Sequence, residues 1–162
     1  MSQQITVEGF KGLGDMFAAI QTQVNEGLME DVEILLEDTM PELEEDHLAF
    51  FRQRRSPKGT AWAKLAPSTI RMKGHDQILI DTHDLLNSLT TPSGDYAIRE
   101  FFREGDAIGL EFGTGVPYAH FHMTGSRNMP ARPEVGLTED RIQDFQTKLA
   151  DLALEHSVPK GS

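Results

Sequence analysis

Chemistry in this 162-residue chain would have to come from a few side chains. His120 and His122 are the one close histidine pair, and with His83 and Asp84 they could offer nitrogen and oxygen ligands to zinc. Residues two apart project together only from a strand, however, and no His-Glu-x-x-His helix is present. An aromatic and histidine packing cluster is therefore the favoured reading, and no metal is assigned. Ser68, Ser88 and Ser126 lack the glycine-flanked elbow of an acyl-transfer nucleophile, and there is no cysteine to replace them. Lys58-Gly59-Thr60 imitates the end of a phosphate-binding loop, yet Arg54 stands where the first glycine is needed; Gly9, Gly12 and Gly14 lack the Gly-Lys-Ser/Thr ending altogether. The residues thus assign no catalytic group and no cofactor.

Composition supports a folded domain without a special class. With 38% apolar and 25% charged residues and a mean hydropathy of -0.39, the chain is too apolar for general disorder. Its longest aliphatic run, Ile34-Leu35-Leu36, is far short of a membrane span, and its polar start does not read as a secretory signal. The absence of cysteine suits a reducing cytoplasm. The length suits one domain over residues 1–162, with ends near 1–8 and 157–162 expected to fray.

The net charge of -11 is unevenly spread. From Gly12 to Phe51 there are 11 carboxylates and no Lys or Arg, whereas Arg52 to Lys73 holds seven cations and no carboxylate. Two readings follow: an acidic solvated helix folded beside a basic loop, or a head-to-tail oligomer in which one subunit's acidic face meets the next subunit's basic loop. Arg52, Arg54, Arg55 and Lys58 are the candidate interface cations. Trp62 lies within the basic stretch and Phe50 and Phe51 just before it, which also allows a nucleic-acid-binding module over residues 52–73. The acidic total and the lack of a nucleic-acid signature rank that reading second, and a metal-dependent hydrolase third.

The positioning elements follow from periodicity. Leu13, Phe17, Ile20, Val24, Leu28, Val32 and Leu35 recur at helical spacing and predict a helix over about 12–38. Thr39-Met40-Pro41-Glu42 reads as the capped start of a second helix ending near Arg55, its apolar side formed by Leu43, Leu48, Phe50 and Phe51. Pro67 opens a short helix; residues 77–80 suggest a brief strand; Asp81-Thr82 would cap a helix carrying Leu85, Leu86 and Leu89. Residues 96–103 and 107–112 flank Glu104-Gly105-Asp106 and predict a hairpin with Ile108, Leu110 and Phe112 on one face. Residues 113–133 read as irregular, and Thr138 caps a last helix with Ile142, Phe145, Leu149, Leu152 and His156 on its inner stripe. The fold class is α+β: long N-terminal and C-terminal helices packed on a small antiparallel sheet.

Four stretches, in order, carry a resemblance. They are the run from Pro57 through Trp62, Leu65 and Pro67 to Ile70; Leu79 to Leu85; Gly113-Thr114 followed by Tyr118 to Gly125; and Met129-Pro130-Ala131-Arg132-Pro133. Together they resemble the virion-morphogenesis and tail-completion proteins of tailed bacteriophages. One block departs from that pattern, with His83 where a glycine is usual. The resemblance implies a structural protein without catalysis that acts in virion assembly, as a ring-forming head-tail connector, neck or tail-terminator subunit. It implies as partners further copies of the chain in a ring and portal, neck or tail-tube proteins, with no membrane and with nucleic acid limited to the genome in the channel. It places the protein in the virion after assembly in the host cytoplasm.

Each block also has a local physical reading. Trp62 and Leu65 anchor the basic loop, Pro67 starts a helix, and Tyr118 and His122 join the packing cluster. Pro130 and Pro133 hold Arg132 on a stiff segment, ready for a carboxylate either of its own chain or of a neighbouring subunit.

Overall fold

The computed structural model describes residues 26–104 and 107–157. Its first element, α1 (Glu26–Gln53), is one continuous helix of 28 residues. The predicted break at Thr39-Pro41 is corrected. Thr39 does not cap a new helix; its hydroxyl donates back to the Leu35 carbonyl at 2.7 Å, as a mid-helix threonine does. Pro41 costs the helix a hydrogen bond, but Pro41 and Glu37 both face water, while Leu36 and Leu43 on either side are buried. Burial along the inner stripe keeps the helix whole. That stripe is Leu28, Val32, Leu36, Leu43, His47 and Phe50. Leu13, Phe17, Ile20 and Val24 lie outside the described residues, as do the ends expected to fray at 1–8 and 157–162 except for Ser157, which is still helical.

After α1 come α2 (Pro67–Lys73) and α3 (Asp84–Thr90), then β1 (Ala97–Glu104) and β2 (Ala107–Thr114). They are followed by α4 (Ala119–Thr124) and α5 (Glu139–Ser157). Helix α1 packs against α3, α5 and β2, and α3 also meets both strands. The core therefore lies where α1 crosses the others, with Leu85 and Leu89 of α3, Leu110 and Phe112 of β2, and Phe145 and Leu149 of α5 around it.

The hairpin forms as predicted, antiparallel with Ala97 opposite Thr114, Glu100 opposite Glu111, Phe102 opposite Gly109 and Glu104 opposite Ala107. Gly109 lies under the Phe102 ring, where a Cβ would come within 2.2 Å of the ring. The inward face of β2 buries Leu110 and Phe112, whereas β1 is exposed from Glu100 to Glu104.

Proline opens α2 in its first turn as predicted, and Gly74 closes it in the left-handed region. Residues 77–80 are not a strand. They turn at Ile78-Leu79, with Leu79 at φ 60°, and bury Ile78 in the core. Helix α3 is not capped by Asp81 or Thr82; His83 holds the cap position at φ 69°, with no side-chain capping bond. Thr138 does cap α5, its hydroxyl accepting from the Arg141 amide at 3.1 Å. Helix α4 interrupts the segment expected to be irregular.

Candidate assembly interface

The four sequence blocks, distant along the chain, converge on one side of the molecule. The loop after α1 is closed by main-chain bonds, with Ser56 donating to Thr60 O and Trp62 to Arg54 O, both at 2.8 Å. Trp62 is only 6% exposed, packs edge-on against Phe51 at 5.6 Å and donates from Nε1 to Pro133 O at 3.0 Å. This ring is occupied as an anchor and offers no face for stacking a base, so the nucleic-acid reading loses its aromatic platform. Leu65 packs against the same core.

Arg132 is 4% exposed and its acceptors are main-chain carbonyls: Nε donates to Ala63 O at 2.8 Å and Nη2 to Lys64 O at 3.2 Å. Within the chain Arg132 thus meets carbonyls and not the carboxylate that the sequence suggested. The Arg132 amide also donates to His122 O at 2.6 Å, which sews the last block to α4. Gly125 permits this closure: at φ 75°, any Cβ would meet Ala131 N and Met129 O at 2.9 Å. Tyr118 sits edge-on to His122 at 5.7 Å, with Pro130 exposed beside them.

These blocks enclose a cleft of about 620 Å³, lined among others by Lys64, Lys73, Leu79, Tyr118, Phe121, His122 and Arg132. Burial, then the charges of Arg132 and Lys73, push the His122 imidazole below its ordinary pKa. The zinc grouping is not assembled. His120 and His122 stand two apart on a helix and so diverge, and among the described residues no three His, Asp or Glu side chains gather around a common point.

The cations of the basic stretch face outward. Arg52, Arg54, Arg55, Lys58, Lys64 and Arg71 are all exposed, and of these only Arg54 makes an ion pair among the described residues, with Asp76 at 3.0 Å. None of them pairs with a carboxylate of α1. The acidic helix instead takes its partners from elements the charge pattern did not flag. Arg99 of β1 reaches Glu44 at 3.2 Å, Arg141 of α5 reaches Asp46 at 2.9 Å and also Glu42, Lys148 reaches Glu42 at 3.3 Å, and His156 reaches Asp31 at 2.7 Å. Arg99 is the most buried of these partners. It also donates to the carbonyls of Ile98, Ser88 and Gly113 and lies 3.8 Å over the Phe112 ring. Sequence reasoning missed Arg99 and Arg141; their placement on the inward sides of predicted elements was the available signal.

Two further buried groups went unread. His47 is enclosed in α1's inner stripe, and burial lowers its pKa to about 4. Glu134 is fully buried with neither carboxylate oxygen hydrogen-bonded, and burial raises its pKa to about 8.

The described residues thus form an α+β fold in which the four blocks converge on one cleft beside an outward-facing stretch of cations. Residues 10–152 match the model of the phage virion morphogenesis family, and the chain belongs to that family. Comparison with curated proteins and with solved structures found no match.

Proposed function

We propose that this chain is a non-enzymatic, ring-forming subunit that completes or joins the tail or neck of a tailed-phage particle. One observation carries this reading beyond the family's general role in virion morphogenesis. The exposed cations of residues 52–71 are left without α1 carboxylates in their own subunit and, Arg54 with its Asp76 apart, make no ion pair among the described residues; nor do Glu30, Glu37 and Asp38 on the outer side of α1. Two unneutralised surfaces of opposite sign on one chain suit head-to-tail contact between copies, and either surface suits a portal, neck or tail-tube protein. Assembly in the host cytoplasm and residence in the virion follow from such a role.

The test reverses Arg52, Arg54 and Arg55 to Glu. Exposed charges contribute little to fold stability, so the variant is expected to melt like the parent. It is expected to lose oligomer size in light scattering and to fail to restore infectious particles in a host carrying a defective copy. Normal complementation would overturn the reading.

A further inference from the structure

The cleft between α2, the 78–82 turn, α4 and the Met129–Arg132 segment contains charge that the subunit does not balance. Lys64, Lys73 and Arg132 line it against one carboxylate, Asp81. Arg132 is held by two main-chain carbonyls, and Lys73 Nζ likewise donates to Gln77 O at 3.0 Å and to Ile80 O. Carbonyl dipoles orient a cation without cancelling its charge. Beside them, His122 Nδ1 is buried with no hydrogen-bond partner. Tyr118 and Phe121, both large and exposed, form an apolar wall. An occupant that fits would present an apolar side chain ringed by carboxylates.

The chain carries such a surface. On the outer face of α1, Ile34 is 54% exposed. Glu30, Glu37 and Asp38 stand four residues before it and three and four after it, which puts all of them around it on one helix face. Among the described residues none of these carboxylates makes an ion pair, in contrast to Glu42, Glu44 and Asp46. No residue of α1 lines the cleft, so face and cleft are separate parts of the surface. We infer that the cleft receives the outer face of α1 from a second copy of the chain, with Ile34 entering against Tyr118 and Phe121 and the flanking carboxylates meeting Lys64 and Lys73. This rests on the self-association proposed above and assigns it a receptor. A contact between unlike surfaces leaves each subunit with one of each free, and the series closes as a ring or continues as a filament.

The experiment compares the full-length parent with Lys64→Glu and Glu37→Lys by sedimentation velocity over a concentration series. Both positions are exposed and without ion pairs among the described residues, so both variants are expected to melt like the parent. Each alone is expected to raise the concentration for half-association at least about tenfold, because like charges then face each other. An equimolar mixture is expected to recover association. The helix of the Glu37→Lys variant then meets the cleft of the Lys64→Glu variant with the two charges exchanged, and the return contact keeps the original Glu37 and Lys64. A parent that associates while both variants associate equally well overturns the cleft and leaves self-association standing. A parent that stays monomeric throughout overturns both. Failure of the mixture to recover overturns the pairing. A fluorescent single-stranded oligothymidine that binds the parent but not Lys64→Glu, with association unchanged, reassigns the cleft to nucleic acid and overturns the inference.

Discussion

Helix α1 and the basic stretch that follows it meet at Arg52, yet their charges are handled in opposite ways. The inner carboxylates of α1 are paired by Arg99, Arg141, Lys148 and His156, which arrive from the hairpin and from α5. The basic stretch has one ion pair, Arg54 with Asp76, and is otherwise fastened by neutral partners: the buried Trp62, the main-chain bonds of its loop, and the carbonyls around Lys73, with Arg132 held by the carbonyls of Ala63 and Lys64. Opposite charges adjacent in sequence do not neutralise each other here. Part of the charge on α1 is tied up in pairs within the chain, whereas of the exposed cations on the basic stretch only Arg54 makes an ion pair among the described residues.

Removing the principal fastener of the basic side has the largest expected effect. Trp62→Ala deletes a buried aromatic and its bond to Pro133, and should cost about 3–5 kcal/mol by urea unfolding. Next, on the acidic side, Arg99→Ala leaves Glu44 and the Ser88 and Gly113 carbonyls without their donor and should cost about 3 kcal/mol. If Arg99→Ala melts like the parent while Trp62→Ala does not, internal ion pairs do not hold α1 and the contrast between the two regions fails.

A smaller effect separates the regions by pH. In the unfolded chain His47 titrates near 6.5 and Glu134 near 4.5. Between about 4 and 6.5 the unfolded chain binds a proton at His47 that the folded one lacks, so that residue makes stability rise with pH. Between 4.5 and about 8 the folded chain keeps a proton on Glu134 that the unfolded one releases, so that residue makes stability fall with pH. The two oppose each other from 4.5 to 6.5, and Glu134 acts without that opposition above 6.5. Unfolding free energy is therefore expected to decline from pH 6.5 to about 8, by at most about 1.4 kcal/mol per pH unit from this group, and Glu134→Gln should flatten the decline. An equal slope in the variant would show that Glu134 is already ionised in the fold. The smallest effect is a gain: His83→Gly relieves a left-handed cap position and should stabilise by about 0.5 kcal/mol, net of the glycine's added unfolded-state entropy.

Much of this fold was legible because periodicity reports burial directly. The hairpin, α5 with its Thr138 cap, and the proline start of α2 all follow from local signals that tertiary contacts reinforce. Where burial overrode a local signal, the sequence misled: Pro41 stays inside α1 because Leu36 and Leu43 bury across it. Residues 77–80 look like a strand, yet they turn to place Ile78 in the core without a neighbouring strand to pair with. The cleft was legible only as separate blocks. Which carbonyl meets Arg132, or which one accepts from the Trp62 indole, depends on chain crossings some 70 residues apart that no spacing encodes. Glu134 gave no signal at all, since a glutamate beside proline reads as solvent-facing.

The hairpin also bears on what this protein avoids. Its two strands pair only with each other among the described residues, so each has an outer edge of unpaired main-chain groups. Glu100 and Glu111 face each other at its middle, a like-charged pair that weakens the ribbon slightly. The same pair guards both edges: a foreign strand aligning there would bring its own backbone, and often its own charge, against a carboxylate already crowded by another. A ribbon that gives up some of its own stability in this way gains protection against strand addition by other chains.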